Sequence, residues 1–326
     1  MTATPPIHPM RRLLAAAAAI AAITGWGSAP AQRPDMAEAL RELGLRADSG
    51  DPRALYSLAM LHERGYDSIR PDTALSVSLL RRAAAAGYAP AQSYLGFLFH
   101  EGKGIAADSD SAIFWISRAA EQGDAKAASN LGFLLLEGKR LVRDYEEGAY
   151  WLGKAADAGL PVAMSQLGDL YRDGTGVERD TVRAAALYAD AAREGLRDAE
   201  WKLIDMMRPR WERLAPDSAA RLGIEYYTGG LPKSGVMLME TGSGARSPEA
   251  ELLLGDAYGK AYGVAYDHDL SLCHYVAAAA YGSDAARRIL DELLQTFPDA
   301  LKAPGVAVVA DSLGFTPSSP APAPGF

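Results

Sequence analysis

Between Gly87 and Gly123, small and apolar residues fall at fixed places: Ala91, Leu95, Gly96, Leu98 and Phe99, then Gly102, Gly104 and Ile105, then Ala112, Trp115, Ala119 and Ala120. Spacings of three and four on either side of a glycine-rich break predict two short amphipathic helices joined by a tight turn. The next 36 residues repeat the pattern and so do the 36 after those, with units opening at Gly50, Gly87, Gly123 and Gly159 and a closing Gly195. The first unit is one residue longer, between Tyr66 and Pro71, in a loop where an insertion is tolerated.

Counted from each opening glycine, the fourth position is Ala54, Ala91, Ala127 and Ala163, the eighth Leu58, Leu95, Leu131 and Leu167, and the eleventh Leu61, Leu98, Leu134 and Leu170. At about 100° per residue these lie within an arc of about 100°, one buried face of the first helix. Gly65, Gly102, Gly138 and Gly174 stand where that helix must end, and a left-handed terminal residue suits glycine best. The second helix is predicted to start at Asp72, Asp108, Asp144 and Asp180, whose carboxylates can accept the orphan N–H groups of the first turn. Seven residues on, Leu79, Trp115, Trp151 and Leu187 read as core anchors. The pairs Ala83-Ala84, Ala119-Ala120, Ala155-Ala156 and Ala191-Ala192 mark a close helix approach. One such hairpin cannot cover its own apolar face, so the copies are expected to stack into an all-α, α/α solenoid.

The run Ala-x3-Leu-Gly-x2-Phe/Tyr-x2-Gly, then Gly-Val/Ile-x2-Asp, then Ala-x2-Trp-x3-Ala-Ala-x2-Gly resembles the Sel1-like repeat family, a relative of the tetratricopeptide repeat. Residues 87–123, 123–159 and 159–195 carry it best, through Leu95, Gly96, Trp115, Leu131, Gly132, Trp151, Leu167 and Gly168. Arg140 replaces a loop glycine in the second of these, and the first unit has Ala59 and Leu79 in place of the glycine and tryptophan. The resemblance implies a right-handed superhelix of antiparallel helix pairs. It also implies a role of the kind exported members play in envelope assembly, polysaccharide export, signalling or host contact. Members credited with binding or hydrolysing β-lactams carry paired cysteines in each repeat, whereas Cys273 is the only cysteine here.

The expected organisation is a signal peptide over 1–31, a capping helix over 32–49, four repeats over 50–195, and truncated copies over 196–245 around Pro209 and Leu222-Gly223. A further repeat and a last helix follow over 246–297, with Arg246 in place of an opening glycine, and an Ala/Pro-rich tail over 298–326 is expected to be disordered from about Leu301. The signal reading rests on Arg11-Arg12, the short apolar run Leu13 to Ile23 and Ala29-Pro30-Ala31, with Met10 as an alternative start. Its apolar run is too short to span hydrocarbon, and no cysteine follows it for a lipid anchor. Cleavage there would remove two arginines and no acid, leaving 31 basic against 41 acidic residues, a net charge near −10. Such a surface repels phosphate backbones and anionic lipid heads. A single cysteine permits no internal disulfide, so packing alone must hold the fold.

The tenth position of each copy points away from the apolar arc and holds Met60, Phe97, Phe133 and Asp169. Beside it the sixth position holds Tyr56, Ser93, Ser129 and Ser165, while His100 borders the same face and Asp173 adds a second acid near Asp169. Two readings are open. Either these residues line a concave groove for an extended peptide or a glycan, apolar at first and acidic toward the fourth copy, or Phe97 and Phe133 pack against the preceding copy as core. No catalytic triad, paired carboxylates, cofactor loop or metal set emerges: Gly102-x-Gly104 follows no strand, and His268, Cys273 and His274 have no recognised ligand spacing. With the signal outline, the resemblance implies a non-catalytic adaptor binding a protein, periplasmic in a Gram-negative cell. The alternatives are release into the medium as a factor for a host or surface glycoprotein, or a cell-wall or β-lactam hydrolase. No metal, cofactor or nucleic-acid partner is expected.

Overall fold

The computed structural model describes residues 36–65, 69–138 and 144–317; the expected signal peptide, Arg140 and the end of the tail lie outside them. Sixteen α-helices are present among the described residues. In chain order they are α1 Met36–Asp48, α2 Pro52–Arg64, α3 Thr73–Ala85, α4 Ala89–Glu101, α5 Ser109–Glu121, α6 Ala125–Glu137, α7 Tyr145–Asp157 and α8 Pro161–Asp173. They continue as α9 Thr181–Arg193, α10 Arg197–Trp211, α11 Pro216–Thr228, α12 Pro232–Thr241, α13 Pro248–Lys260, α14 His268–Ala280, α15 Asp284–Thr296 and α16 Pro304–Leu313. The chain forms two compact units, one of Met1–Ala163 with Thr175–Val177 and the other of Met164–Gly174 with Glu178–Phe326.

The same local chemistry builds each hairpin. Asp72, Asp144 and Asp267 each accept a hydrogen bond from the backbone N–H three residues on, at 2.9, 2.9 and 3.0 Å. Asp180 accepts from Val182 and Arg183, and Asp108 from Asp110. The N–H of each of these aspartates donates back to the end of the preceding helix, Asp108 to the Phe99 carbonyl at 3.0 Å and Asp180 to that of Tyr171 at 2.9 Å. Gly102 and Gly138 end their helices in the left-handed conformation as expected; Gly65 has a positive φ but an extended ψ. In the later copy that left-handed residue is Ala261, with φ 54°, and the opening position is Arg246, with φ 51°. The backbone course thus persists where glycine does not.

The tightest contact lies between the two helices of a hairpin. A methyl group added at Gly96 would stand 2.4 Å from Ile116 Cγ1 and 2.8 Å from the Ala112 carbonyl, and one at Gly132 would meet Leu152 Cγ at 2.8 Å. The fully buried anchors of the second helices are Leu80, Ile116, Leu152 and Tyr188, eight residues after the capping aspartate. This corrects the expectation for Trp115 and Trp151, which are only half-buried, one step around the helix from the line that meets the glycine. Leu95, Leu131 and Leu167 are buried as the pattern requires. In the first unit, α3 packs on α4 and α5 on α6, joining one hairpin to the next, with a core around Leu55, Leu80 and Leu95.

In the second unit the alternation breaks. Helix α10 runs through Pro209 to the buried Trp211 and has no antiparallel hairpin partner among the described residues; it packs against α9 and α12. Its buried Glu200 accepts from the Ser234 N–H at 3.0 Å, capping α12, which lacks a side-chain cap of its own. The hairpins α11/α12 and α13/α14 follow, and then α15 and α16 both pack on α14. Helix α16 overturns the predicted disorder from Leu301. Val306 and Ala310, one helical turn apart, are buried in the last core cluster, a short apolar stripe that the Ala, Pro and Gly content had masked.

Glycine and alanine exchanged in opposite directions should change stability with opposite sign. Gly96→Ala must displace Ile116 or the Ala112 carbonyl and should cost about 1–3 kcal/mol, whereas Ala261→Gly relieves a left-handed alanine and should add roughly 1 kcal/mol. Thermal melts followed by circular dichroism would read both, and a Gly96→Ala variant as stable as the parent would remove the close-approach account.

Candidate functional site

The first-helix tenth position behaves differently in the two units. In the first, Met60 is partly buried against the core, while Phe97 and Phe133 are 38% and 44% exposed on α4 and α6. Phe97 stacks on Tyr94, with ring centroids 6.0 Å apart and planes 22° from parallel, and the Tyr94 hydroxyl donates to the Glu63 carboxylate. Tyr56 meets Tyr88 edge-on at 5.5 Å. Ser93 is half-buried, but Ser129 is buried, so the expected polar track does not run open beside the aromatics. His100 is half-buried, with Nε2 3.6 Å from Glu101.

In the second unit Asp169 is not an open acid. It accepts from the Tyr188 hydroxyl at 2.8 Å and from Lys202 Nζ at 2.6 Å, and it lies 3.2 Å from Arg172. Ser165 is buried and takes Lys202 at 3.0 Å. Asp173 is exposed, and its hydrogen bonds from Arg172, both 2.8 Å, hold its carboxyl below the usual range. The acidic end expected for a groove is therefore a closed ion-pair cluster. A second copy of the arrangement occurs in α13/α14, where the Tyr275 hydroxyl donates to Asp256 at 2.6 Å. Asp169 and Asp256 share one repeat position, as do Tyr188 and Tyr275, and each tyrosine ring lies over a glycine, Gly168 or Gly255. That co-occurrence was visible in the sequence and is the signal that could have identified these aspartates as structural. His274 belongs to the same hairpin: its Nδ1 lies 2.7 Å from the buried Glu251, and its ring stacks on Tyr258 at 5.5 Å.

Sequence reasoning missed a second aromatic feature. On the second helices Phe114 and Tyr150 are 51% and 57% exposed at equivalent positions. Each meets its neighbouring tryptophan edge-on, Phe114 with Trp115 at 5.0 Å and Tyr150 with Trp151 at 5.3 Å. Each also carries a cation from the next turn over its ring, Arg118 at 5.1 Å and Lys154 at 5.5 Å. An open cleft of about 490 Å³ lies where the end of α5, the start of α6 and the face of α7 meet, lined by Tyr150, Trp151 and Lys154 of α7 and by Glu121 and Asp124. No group of three metal-ligating side chains occurs among the described residues, and no helix among them is long and apolar enough to cross a membrane.

A family model described as Sel1 repeat matches residues 52–88, 89–124, 125–160, 161–196 and 216–236. The hairpin α13/α14 lies outside the matched residues. Among solved structures, the chain is similar to c5321, a protective antigen of uropathogenic Escherichia coli displaying an SLR fold, at 26% identity and a TM-score of 0.49. That match covers 84% of this chain and 56% of the other, so the chain spans little more than half of that protein's length. A Sel1 repeat protein from Oxalobacter formigenes is 24% identical, with a TM-score of 0.44 over 88% of this chain and 91% of that one. The immunity protein Pa5087 from Pseudomonas aeruginosa is 18% identical, with a TM-score of 0.33 over 73% and 83%. No curated protein matches the chain.

The tyrosine–carboxylate pairs give the fold an alkaline limit. Burial first, and then the hydrogen bond to Glu240, pushes the Tyr258 hydroxyl up to about 12; Tyr94, Tyr188 and Tyr275 are raised by burial and then by Glu63, Asp169 and Asp256. An unfolded tyrosine ionises near pH 10, so their contribution is complete below about pH 10 and is lost as pH rises from there through the folded values. Melting temperature should hold to about pH 9.5 and fall between about pH 10 and 12, and Tyr258→Phe should make the fall shallower.

Proposed function

The chain belongs to the Sel1 repeat family, and from that premise we propose that it is a non-catalytic adaptor, exported to the cell envelope, that holds a protein partner against the outward face of its first helices. Repeats of this family build helical scaffolds that generally serve protein–protein interaction. The observation that carries the proposal is the pair Phe97 and Phe133, set at one repeat position on α4 and α6 and both exposed. Two large rings held open on helices whose other faces are fully committed to packing favour a docking surface. Ser165 and Asp169, both bonded to Lys202, and Asp173, held by Arg172, have no part in it. Export is supported by the outline of residues 1–31, and residence in the periplasm rather than the medium is part of the same proposal.

A photo-cross-linking side chain placed at 97 or 133 in intact cells, followed by mass spectrometry, should trap the same protein from both positions and nothing from the exposed position of Val182. Phe97→Glu with Phe133→Glu should lower recovery of that partner at least about tenfold, while melting shifts by no more than about 2 °C because neither ring is core. A fall of many degrees would return both rings to the core. The mature chain recovered from the same fractionated cells should begin near Gln32, and an intact leader would retire export.

A further inference from the structure

The cleft beside Tyr150 exists because one copy lacks side chains that fill the same junction in the copy before it. At the α3–α4–α5 junction, Gln92 is buried, donates to the Ala84 carbonyl at 3.1 Å and accepts from Gln122 Nε2 at 2.7 Å. Tyr88 packs beside them on the core. Thirty-six residues on, the corresponding positions are Ala128, Ala158 and Asp124, so two glutamines and a tyrosine give way to two methyl groups and a short acid. The backbone is the same, and the vacated space is the 490 Å³ cleft.

Its walls select the occupant. Tyr150 offers an exposed ring with the Lys154 ammonium 5.5 Å from its centroid, and the face of such a ring attracts a cation. The same cleft is lined by two carboxylates: Glu121, which has no ion-pair partner among the described residues, and Asp124, which uses one oxygen to cap α6 through the Ala127 N–H at 2.9 Å. Two negative charges against one positive leave the cleft net acidic. A flat cation that stacks on an aromatic ring while forking to carboxylates is a guanidinium, which does both better than an ammonium. We propose that this cleft receives an arginine side chain from a peptide segment of a protein partner, displacing Lys154 from the ring. The site is separate from Phe97 and Phe133 and does not depend on their role.

Titrating the full chain with acetyl-Gly-Arg-Gly-amide, and reading the Trp151 indole N–H by NMR, should give a saturable shift with a dissociation constant on the order of millimolar. The uncharged citrulline analogue and acetyl-Gly-Glu-Gly-amide should give none. Glu121→Gln should weaken binding about fivefold, and Lys154→Met should tighten it about twofold or more by freeing the ring. Ala128→Gln with Ala158→Gln, which installs the glutamine pair of the preceding copy, should abolish binding with melting unchanged, and Phe97→Glu should leave the titration unaltered. Equal binding of the citrulline peptide, no saturable shift, preference for the glutamate peptide, or weaker binding by Lys154→Met would each overturn the assignment, the last two by pointing to an acidic occupant.

Discussion

Most hairpins of this protein depend on how closely their two helices approach where a glycine of the first lies under a large side chain of the second. Gly96 lies under Ile116, Gly132 under Leu152, Gly168 under Tyr188 and Gly255 under Tyr275, with no room for a Cβ at any of them. Such an approach fixes both the spacing and the rotation of the pair, because ridges on one helix can fill grooves on the other in few ways. The paired alanines extend the same closeness, and the bond from each capping aspartate's N–H to the preceding helix closes the hairpin at one length. Outward positions therefore recur in a fixed geometry from copy to copy. The first copy manages with Ala59, fully buried at the glycine's position.

A backbone this constrained can be specialised only by changing what stands at a few positions, and two such changes stand out. At the tenth position of the first helix, Phe97 and Phe133 are open rings where Asp169 and Asp256 are hydrogen-bonded to tyrosine hydroxyls. The aspartate appears where the second helix supplies a tyrosine, since a hydroxyl brought under cover requires an acceptor. At the junctions between hairpins, the change from a glutamine pair to an alanine pair turns a filled corner into a cleft without altering the helices that border it. Both are local edits to a fixed frame, the economy by which repeat scaffolds acquire different partners.

The titratable groups brought together by the fold are largely spent on one another. Asp169 is bound by Tyr188, Arg172 and Lys202, Glu251 by His274, and Glu200 by a helix end. Groups so paired hold the helices in place and offer little to a substrate. Among the residues that face outward in the first unit are aromatic rings in two sets: rings of the first helices, and rings of the second helices each covered by a cation. These are features of surfaces that recognise other chains.

Helix positions, hairpin length, capping aspartates and buried first-helix leucines were legible in the sequence, because each follows from the periodicity of a short stretch and from local backbone chemistry. The single helix α10 was foreshadowed by Pro209, whereas α16 was not, since two buried residues in an Ala-rich run carry too weak a period. Periodicity placed Phe97, Phe133 and Asp169 alike, pointing away from the core. Only the tertiary structure decided that the rings are open and that the aspartate is taken, because that depends on Tyr188, Arg172 and Lys202, whose reach and charge no helical period weighs. The same holds for the cleft: Ala128 and Ala158 read as ordinary small residues until the packing shows which larger side chains they replace. Local sequence sets which way a side chain points, and the neighbours supplied by other helices set whether anything is left for a partner to touch.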